Sequence, residues 1–99
     1  MRIVFSRPAK RDLDDLRVHL GSISPRGLAN VAAALERRIL NLGDEPMSGR
    51  ATPHPLVREV VEPRYGFVIP YTIRDEALYI LRIYSTRRQP LDYDEIELP

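Results

Sequence analysis

The chain has no cysteine and no tryptophan. Without a thiol there is no disulfide, no thiolate nucleophile and no zinc site built on sulfur. Long apolar runs are missing too. Nothing approaches the ~20 residues that span a bilayer, and the opening MRIVFSRPAKRD has no apolar stretch of signal-peptide length. A cytoplasmic protein with no membrane partner is expected. An excess of charge is also absent: fifteen Lys and Arg against fourteen Asp and Glu leave +1. That argues against a histone-like protein that coats nucleic acid by bulk charge. Lysine itself is nearly missing, since Lys10 is the only one among the fifteen cations. The arginine bias has two sources of equal standing, a GC-rich genome and the fit of a planar guanidinium to carboxylates and phosphates.

What is present describes a globular chain. At 99 residues, 43% apolar and 29% charged, residues 1–99 are expected to form one domain. Residues 2–5, RIVF, are rich in β-formers and suit a short strand. Ser6 is placed to cap a helix whose first turn tolerates Pro8, because the amide missing there would have no partner anyway. Ala9, Leu13, Leu16 and Leu20 recur at helical spacing, and Gly21 is the expected stop. Asp12, Asp14 and Asp15 lie between those apolar positions and are expected to face water near the helix N-terminus. Ser24-Pro25 opens a second helix, in which Leu28, Val31, Ala32, Leu35, Ile39 and Leu42 trace one face until Gly43. Joined by three or four residues, the two helices should pair as an antiparallel hairpin.

Residues 43–56, GDEPMSGRATPHPL, read as a long loop, and long ordered loops are disproportionately functional. The period then changes from 3.6 to 2. Residues 57–62 read as a strand, PRYG as a turn, and Phe67, Ile69, Tyr71 and Ile73 as one face of the next strand. Pro70 cannot donate to a ladder and should sit at a bulge or on an edge. Residues 77–85 read as a last strand, with Leu81 and Ile83 on one side and Ile80, Arg82 and Tyr84 on the other. Residues 90–99 form an acidic tail. The predicted class is α+β with order β-α-α-β-β-β, a helical hairpin on one face of a small, curved, mainly antiparallel sheet. Too few residues remain to cover the opposite face, so that face or its rim is the expected place for a partner.

Classical catalytic patterns are poor. His19 and His54 have no partner at ligand spacing and read as solvated or capping residues, so no metal is expected. No serine stands in a nucleophile-elbow context, and no glycine loop cradles phosphate; no cofactor is expected. The arginines carry more. Arg58 and Arg64 flank the strand at 57–62, Arg82 lies in the last strand, and Arg87 with Arg88 follows it; Tyr65 and Tyr84 are neighbours. A guanidinium can stabilise a phosphorane-like transition state while a phenol moves a proton, which is the equipment for metal-free RNA cleavage. The same residue types anchor protein interfaces, and they also serve as plain solvated charge. All three readings stand on the chemistry alone.

The pattern as a whole resembles a known family. SRPAKRDLDDLRVHL, then SGR, then VREVVEPRYGFVIPYTIRDEALYILRIYSTRR are similar to toxins of the RelE/ParE superfamily from bacterial type II toxin–antitoxin modules. The likeness runs from residue 2 to about residue 90. Its most specific part is Val57-Arg58-Glu59, Tyr65, Tyr71 and the run Ile80-Leu81-Arg82-Ile83 with Arg87 close behind. The wording is closer to the ParE branch, whose members poison DNA gyrase, than to the RelE branch, whose members cut mRNA on the ribosome. The resemblance implies a cognate antitoxin, a hetero-oligomer with it, and Arg58, Arg64, Tyr65, Arg82, Tyr84, Arg87 and Arg88 as antitoxin- or target-binding residues in a shared cationic trough. On a RelE-like reading, Arg58, Arg82, Arg87 and Tyr93 would be catalytic. A third possibility is a family member that only binds its antitoxin. The acidic tail is expected to fold toward the arginines and screen them.

Overall fold

The computed structural model describes residues 1–99, ordered β1 (Arg2–Phe5), α1 (Arg7–Ile23), α2 (Pro25–Asp44), β2 (Arg50–Ala51), β3 (Arg58–Glu62), β4 (Phe67–Arg74), β5 (Ala77–Ile80) and β6 (Tyr84–Ser85), with a short 3₁₀ turn at Tyr93–Glu95. Ser6 caps α1 by accepting the Ala9 N–H at 3.2 Å, with Pro8 in the first turn. Ser24 then serves both helices. Its N–H closes α1 on the Leu20 carbonyl, and its hydroxyl accepts the Gly27 N–H to open α2. The expected stop at Gly21 and connector of three or four residues are therefore corrected to a one-residue joint. Gly21 lies within α1, and a Cβ there would meet Leu28 Cδ2 of α2 at 3.2 Å. Its bare backbone lets the two helices approach closely at the hairpin's tip.

The sheet order is β1-β5-β4-β3-β2, parallel between β1 and β5 and antiparallel elsewhere, with β6 added to β4. Both helices cover one face. Leu35, Ile39 and Leu42 of α2 and Ala9 of α1 pack against Ile69, Tyr71, Leu78, Ile80 and Ile83 to form the core. Burying one such aliphatic side chain contributes about 1.5–3 kcal/mol, so this single layer fixes the helices on the sheet. No helix is long and apolar enough to cross a membrane.

The last predicted strand is broken. Tyr71 pairs with Ile80 and Val68 with Tyr84, so two residues of β4 face three of the other strand. This is a one-residue bulge, and it sits opposite Pro70, whose carbonyl still accepts the Leu81 N–H at 2.9 Å. The proline that cannot donate is where the ladder gains its extra residue, as expected. The bulge reverses the side-chain alternation beyond it. Ile80 and Ile83, expected on opposite sides, both enter the core, while Tyr84 lies beside Val68 on the other face.

That other face is not open. The C-terminal segment crosses it: Tyr93 donates to Glu59 Oε2 at 2.6 Å, and Arg74 bonds the Pro99 carbonyl beyond it. Thr72 reaches the Leu56 carbonyl at 2.6 Å, so the loop before β3 folds over the same side. Pro70, Thr72 and Leu81 are buried as a result. The expectation of an uncovered face failed because the tail's apolar residues, Leu91, Tyr93 and Ile96, alternate with its acids and are half-buried.

Candidate functional site

The long loop is pinned from beneath. Tyr71, fully buried on β4, donates to the Pro46 carbonyl at 2.7 Å and accepts the Gly49 N–H at 2.9 Å. Burial raises its hydroxyl above the usual 10.0, against the pull of the Gly49 amide and the Arg58 charge. Arg58 stands opposite Tyr71 on the same sheet face and donates to the Gly49 carbonyl at 2.8 Å. Two of the loop's polar contacts thus end on one glycine. At the other end of β3, the buried Glu62 accepts the Arg64 and Tyr65 N–H groups at 3.0 and 2.8 Å and organises the turn at Pro63–Gly66.

Arg82 is held differently. Its Nε and Nη2 reach Asp12 Oδ2 and Oδ1 on α1 at 2.7 and 3.0 Å, and Asp12 Oδ2 also accepts the Ile83 N–H at 2.9 Å. The hydrogen bonds to Asp12 raise the guanidinium above its usual range, more than burial lowers it. Asp12 was expected to face water; only its neighbours Asp14 and Asp15 do. The signal was in the spacing, because Asp12 lies three residues after Ala9 and four before Leu16, on the buried stripe of α1. Tyr84 lies between two guanidinia, with Arg82 Cζ at 5.3 Å and Arg88 Cζ at 5.1 Å from its ring centre. Arg64 stacks on Tyr65 at 5.4 Å. Tyr93, bonded to Glu59 and buried beside its carboxylate, is held neutral far above the ordinary tyrosine range. His54 accepts the Leu56 N–H at 3.1 Å and caps a local turn.

These placements correct the shared trough. Arg58 pairs with Tyr71 in the middle of β4, whereas Ser85, two residues before Arg87, pairs with Phe67 at its start; four residues of strand separate the two positions by about 13 Å. Arg82 turns to α1 at the bulge. The structure does bring together Arg82, Tyr84 and Arg88 as a stack, and it sets Arg87 and Arg88 at a cleft of about 540 Å³ between the helices and the β3–β4 hairpin. A second cleft of about 670 Å³, lined mainly by apolar side chains, runs along the seam of α1 and α2 above Ile3 and Phe5 of β1. Glu95 and Glu97 of the tail share a small polar cavity with Arg11 and Arg82.

This architecture has relatives. "Toxin RelE2" of Caulobacter vibrioides is 31% identical over 87 residues, which cover 88% of this chain and 97% of that protein. A solved chain described as "Chromosomal ParDE TA system from P. aeruginosa" superposes with a TM-score of 0.75 at 25% identity, covering 86% of this chain and 95% of that one. A family model described as "ParE toxin of type II toxin-antitoxin system, parDE" matches residues 3–90, from the first strand to Pro90, two residues past the exposed arginines. The chain belongs to that ParE toxin family.

Proposed function

We propose that this chain is a toxin that acts inside the cell by binding DNA gyrase, is neutralised by a cognate antitoxin in a hetero-oligomer, and performs no chemistry of its own. One observation supports a binding poison over a nuclease: three of the four groups an RNA-cutting site would use are engaged within the fold. Arg58 holds the Gly49 carbonyl, Arg82 is neutralised by Asp12, and Tyr93 donates to Glu59. A general base must be able to give and take a proton near neutral pH, and a phenol locked against a carboxylate resists ionisation. A transition-state cation already paired with an aspartate has little left to offer a phosphate. Arg87 and Arg88, together with Arg64 and Tyr65, remain as surface for a partner, while Tyr84 is buried.

The RelE-like reading has its own support in the 31% identical relative, whose name is RelE2. Expression of the chain without its antitoxin, followed by assays of the purified protein on gyrase supercoiling and on mRNA bound to stalled ribosomes, separates them. Loss of supercoiling is expected; cuts in the ribosomal A site would establish the nuclease instead, and harmless expression a member that only binds antitoxin.

A further inference from the structure

β1 is an edge of the sheet, hydrogen-bonded on one side only, to β5. In a parallel ladder, alternate residues turn both of their backbone groups to the neighbour. The Ser6 N–H goes to the Ile80 carbonyl, so Val4 and Arg2 face β5, while Ile3 and Phe5 present their N–H and C=O groups outward. Native edges are commonly blunted by a proline, a bulge or a charge within the strand. The far edge is treated in that way: β2 is only the exposed Arg50 and Ala51, with Pro53 and Pro55 close behind. β1 carries its one charge, Arg2, at its very start and has no such device between Ile3 and Phe5. Those two side chains also stand on the helix face, as the floor of the 670 Å³ cleft along the helix seam. Leu13 and the exposed Leu40 continue the apolar surface upward from them. An unpaired strand edge and an apolar seam therefore lie side by side.

We infer that β1 is a homodimer interface: two copies of this chain pair their β1 edges antiparallel about a two-fold axis at Val4, joining both sheets into one. The register follows from which groups are free. Ile3 and Phe5 of one copy exchange hydrogen bonds with Phe5 and Ile3 of the second copy, and Val4 meets its own equivalent on the axis. On the helix face, Ile3 then lies beside Phe5 of the second copy, a favourable β-branched–aromatic pair across strands, and the two seam clefts meet. Charge argues for a second copy over a strongly acidic or basic partner. Arg17 bonds Asp14 within the chain, and Lys10 and Glu36 are left at the cleft rim outside every ion pair. One free cation and one free anion make a neutral rim, which matches itself when turned about a two-fold axis. A net charge of +1 gives the copies little mutual repulsion. The interface is isologous, so it closes at two and builds no fibre. It holds whichever target the toxin binds.

The test uses the full-length chain purified alone, with sedimentation velocity read from about 1 to 100 µM, where a reversible monomer–dimer equilibrium is expected. Ile3→Pro removes an outward N–H without touching the ladder to β5, and should weaken association about tenfold or more. Should Ile3→Pro fail to fold, cross-linking reads the same register independently, because the chain has no cysteine of its own. Val4→Cys places two thiols across a non-hydrogen-bonded pair on the axis, with Cα atoms about 4.5 Å apart, within the range a disulfide spans. Oxidised glutathione should convert that variant to a covalent dimer. Arg2→Cys, at an exposed position of the same strand, would face its equivalent from more than about 13 Å and should stay monomeric. A chain that is monomeric throughout, with Val4→Cys linking no faster than Arg2→Cys, overturns the inference. A dimer that Ile3→Pro leaves unchanged and Val4→Cys does not trap uses another surface and overturns it equally. A Val4→Cys thiol that reacts freely in the chain alone, and is shielded only once the protein of the neighbouring reading frame is added, overturns it by assigning the edge to that partner.

Discussion

Asp12 and Arg82, seventy positions apart, meet through two hydrogen bonds of 2.7 and 3.0 Å, and the same carboxylate takes the Ile83 N–H. With side chains only 10% and 25% exposed, the pair fastens α1 to the bulged strand. Asp12→Ala leaves a half-buried guanidinium and an orphaned amide, and should destabilise the fold by about 2 kcal/mol or more. The pairing energy comes from a double-mutant cycle with Arg82→Ala, which should give a coupling above about 1 kcal/mol. Additive losses in chemical denaturation would mean that the two residues do not act as a pair.

Gly49 has no room for a side chain. A Cβ would lie 2.5 Å from both Cε1 and the hydroxyl of Tyr71 and 2.9 Å from the Glu59 carbonyl oxygen. Gly49→Ala should therefore release the loop before β3 and destabilise the protein by about 2 kcal/mol. Thermal unfolding with hydrogen exchange checks both effects. A wild-type melting temperature with unchanged protection of the Gly49-side amides would contradict the close packing.

The Tyr93 hydroxyl is favoured in its neutral form, so its folded pKa lies above the unfolded value of 10.0. The stability it contributes is complete below pH 10 and is lost as pH rises from there toward the folded pKa. In an absorbance titration of the phenolate band, Tyr93→Phe should remove one ionisation from the most alkaline part of the curve. Removal of an ionisation near pH 10 instead would show that the tail does not lie on Glu59 in solution.

The tail carries Asp92, Asp94, Glu95 and Glu97, of which Glu95 and Glu97 share a cavity with Arg11 and Arg82. Deletion of residues 92–99 removes four carboxylates near the arginine-rich strand end. The salt dependence of antitoxin binding should steepen accordingly. An unchanged slope would mean that the tail covers the sheet without screening its charges.

The order of elements was legible because each rests on local chemistry: Ser6 and Ser24 as caps, the apolar stripe from Leu28 to Leu42, and the period-2 run around Ile69. Pro70 also announced its bulge. What the bulge does downstream was not legible, since a single extra residue reverses every later side chain and no local pattern records on which side of Ile80 it falls. Asp12 was misplaced for a related reason. Its spacing put it on the buried stripe of α1, but nothing local says that a guanidinium from the far end of the chain arrives there. The tail was expected to fold toward the arginines, but its cover of the sheet was not legible, because burial of Leu91, Tyr93 and Ile96 needs a docking face supplied by β3 and β4. Of the expected site, the Tyr84 stack and the Arg87–Arg88 mouth are assembled by the fold, while Arg58 went to the loop because the register puts it beside Tyr71.

The central claim is that this toxin works by occupying its target, and the most direct measurement is stoichiometry. Purified chain is titrated into a gyrase supercoiling reaction and, in parallel, into ribosomes stalled on mRNA. A binding poison should abolish supercoiling at toxin concentrations comparable to gyrase and leave the mRNA whole. Transcripts cleaved by toxin present at a small fraction of the ribosome concentration, with supercoiling untouched, would demonstrate turnover and contradict the account.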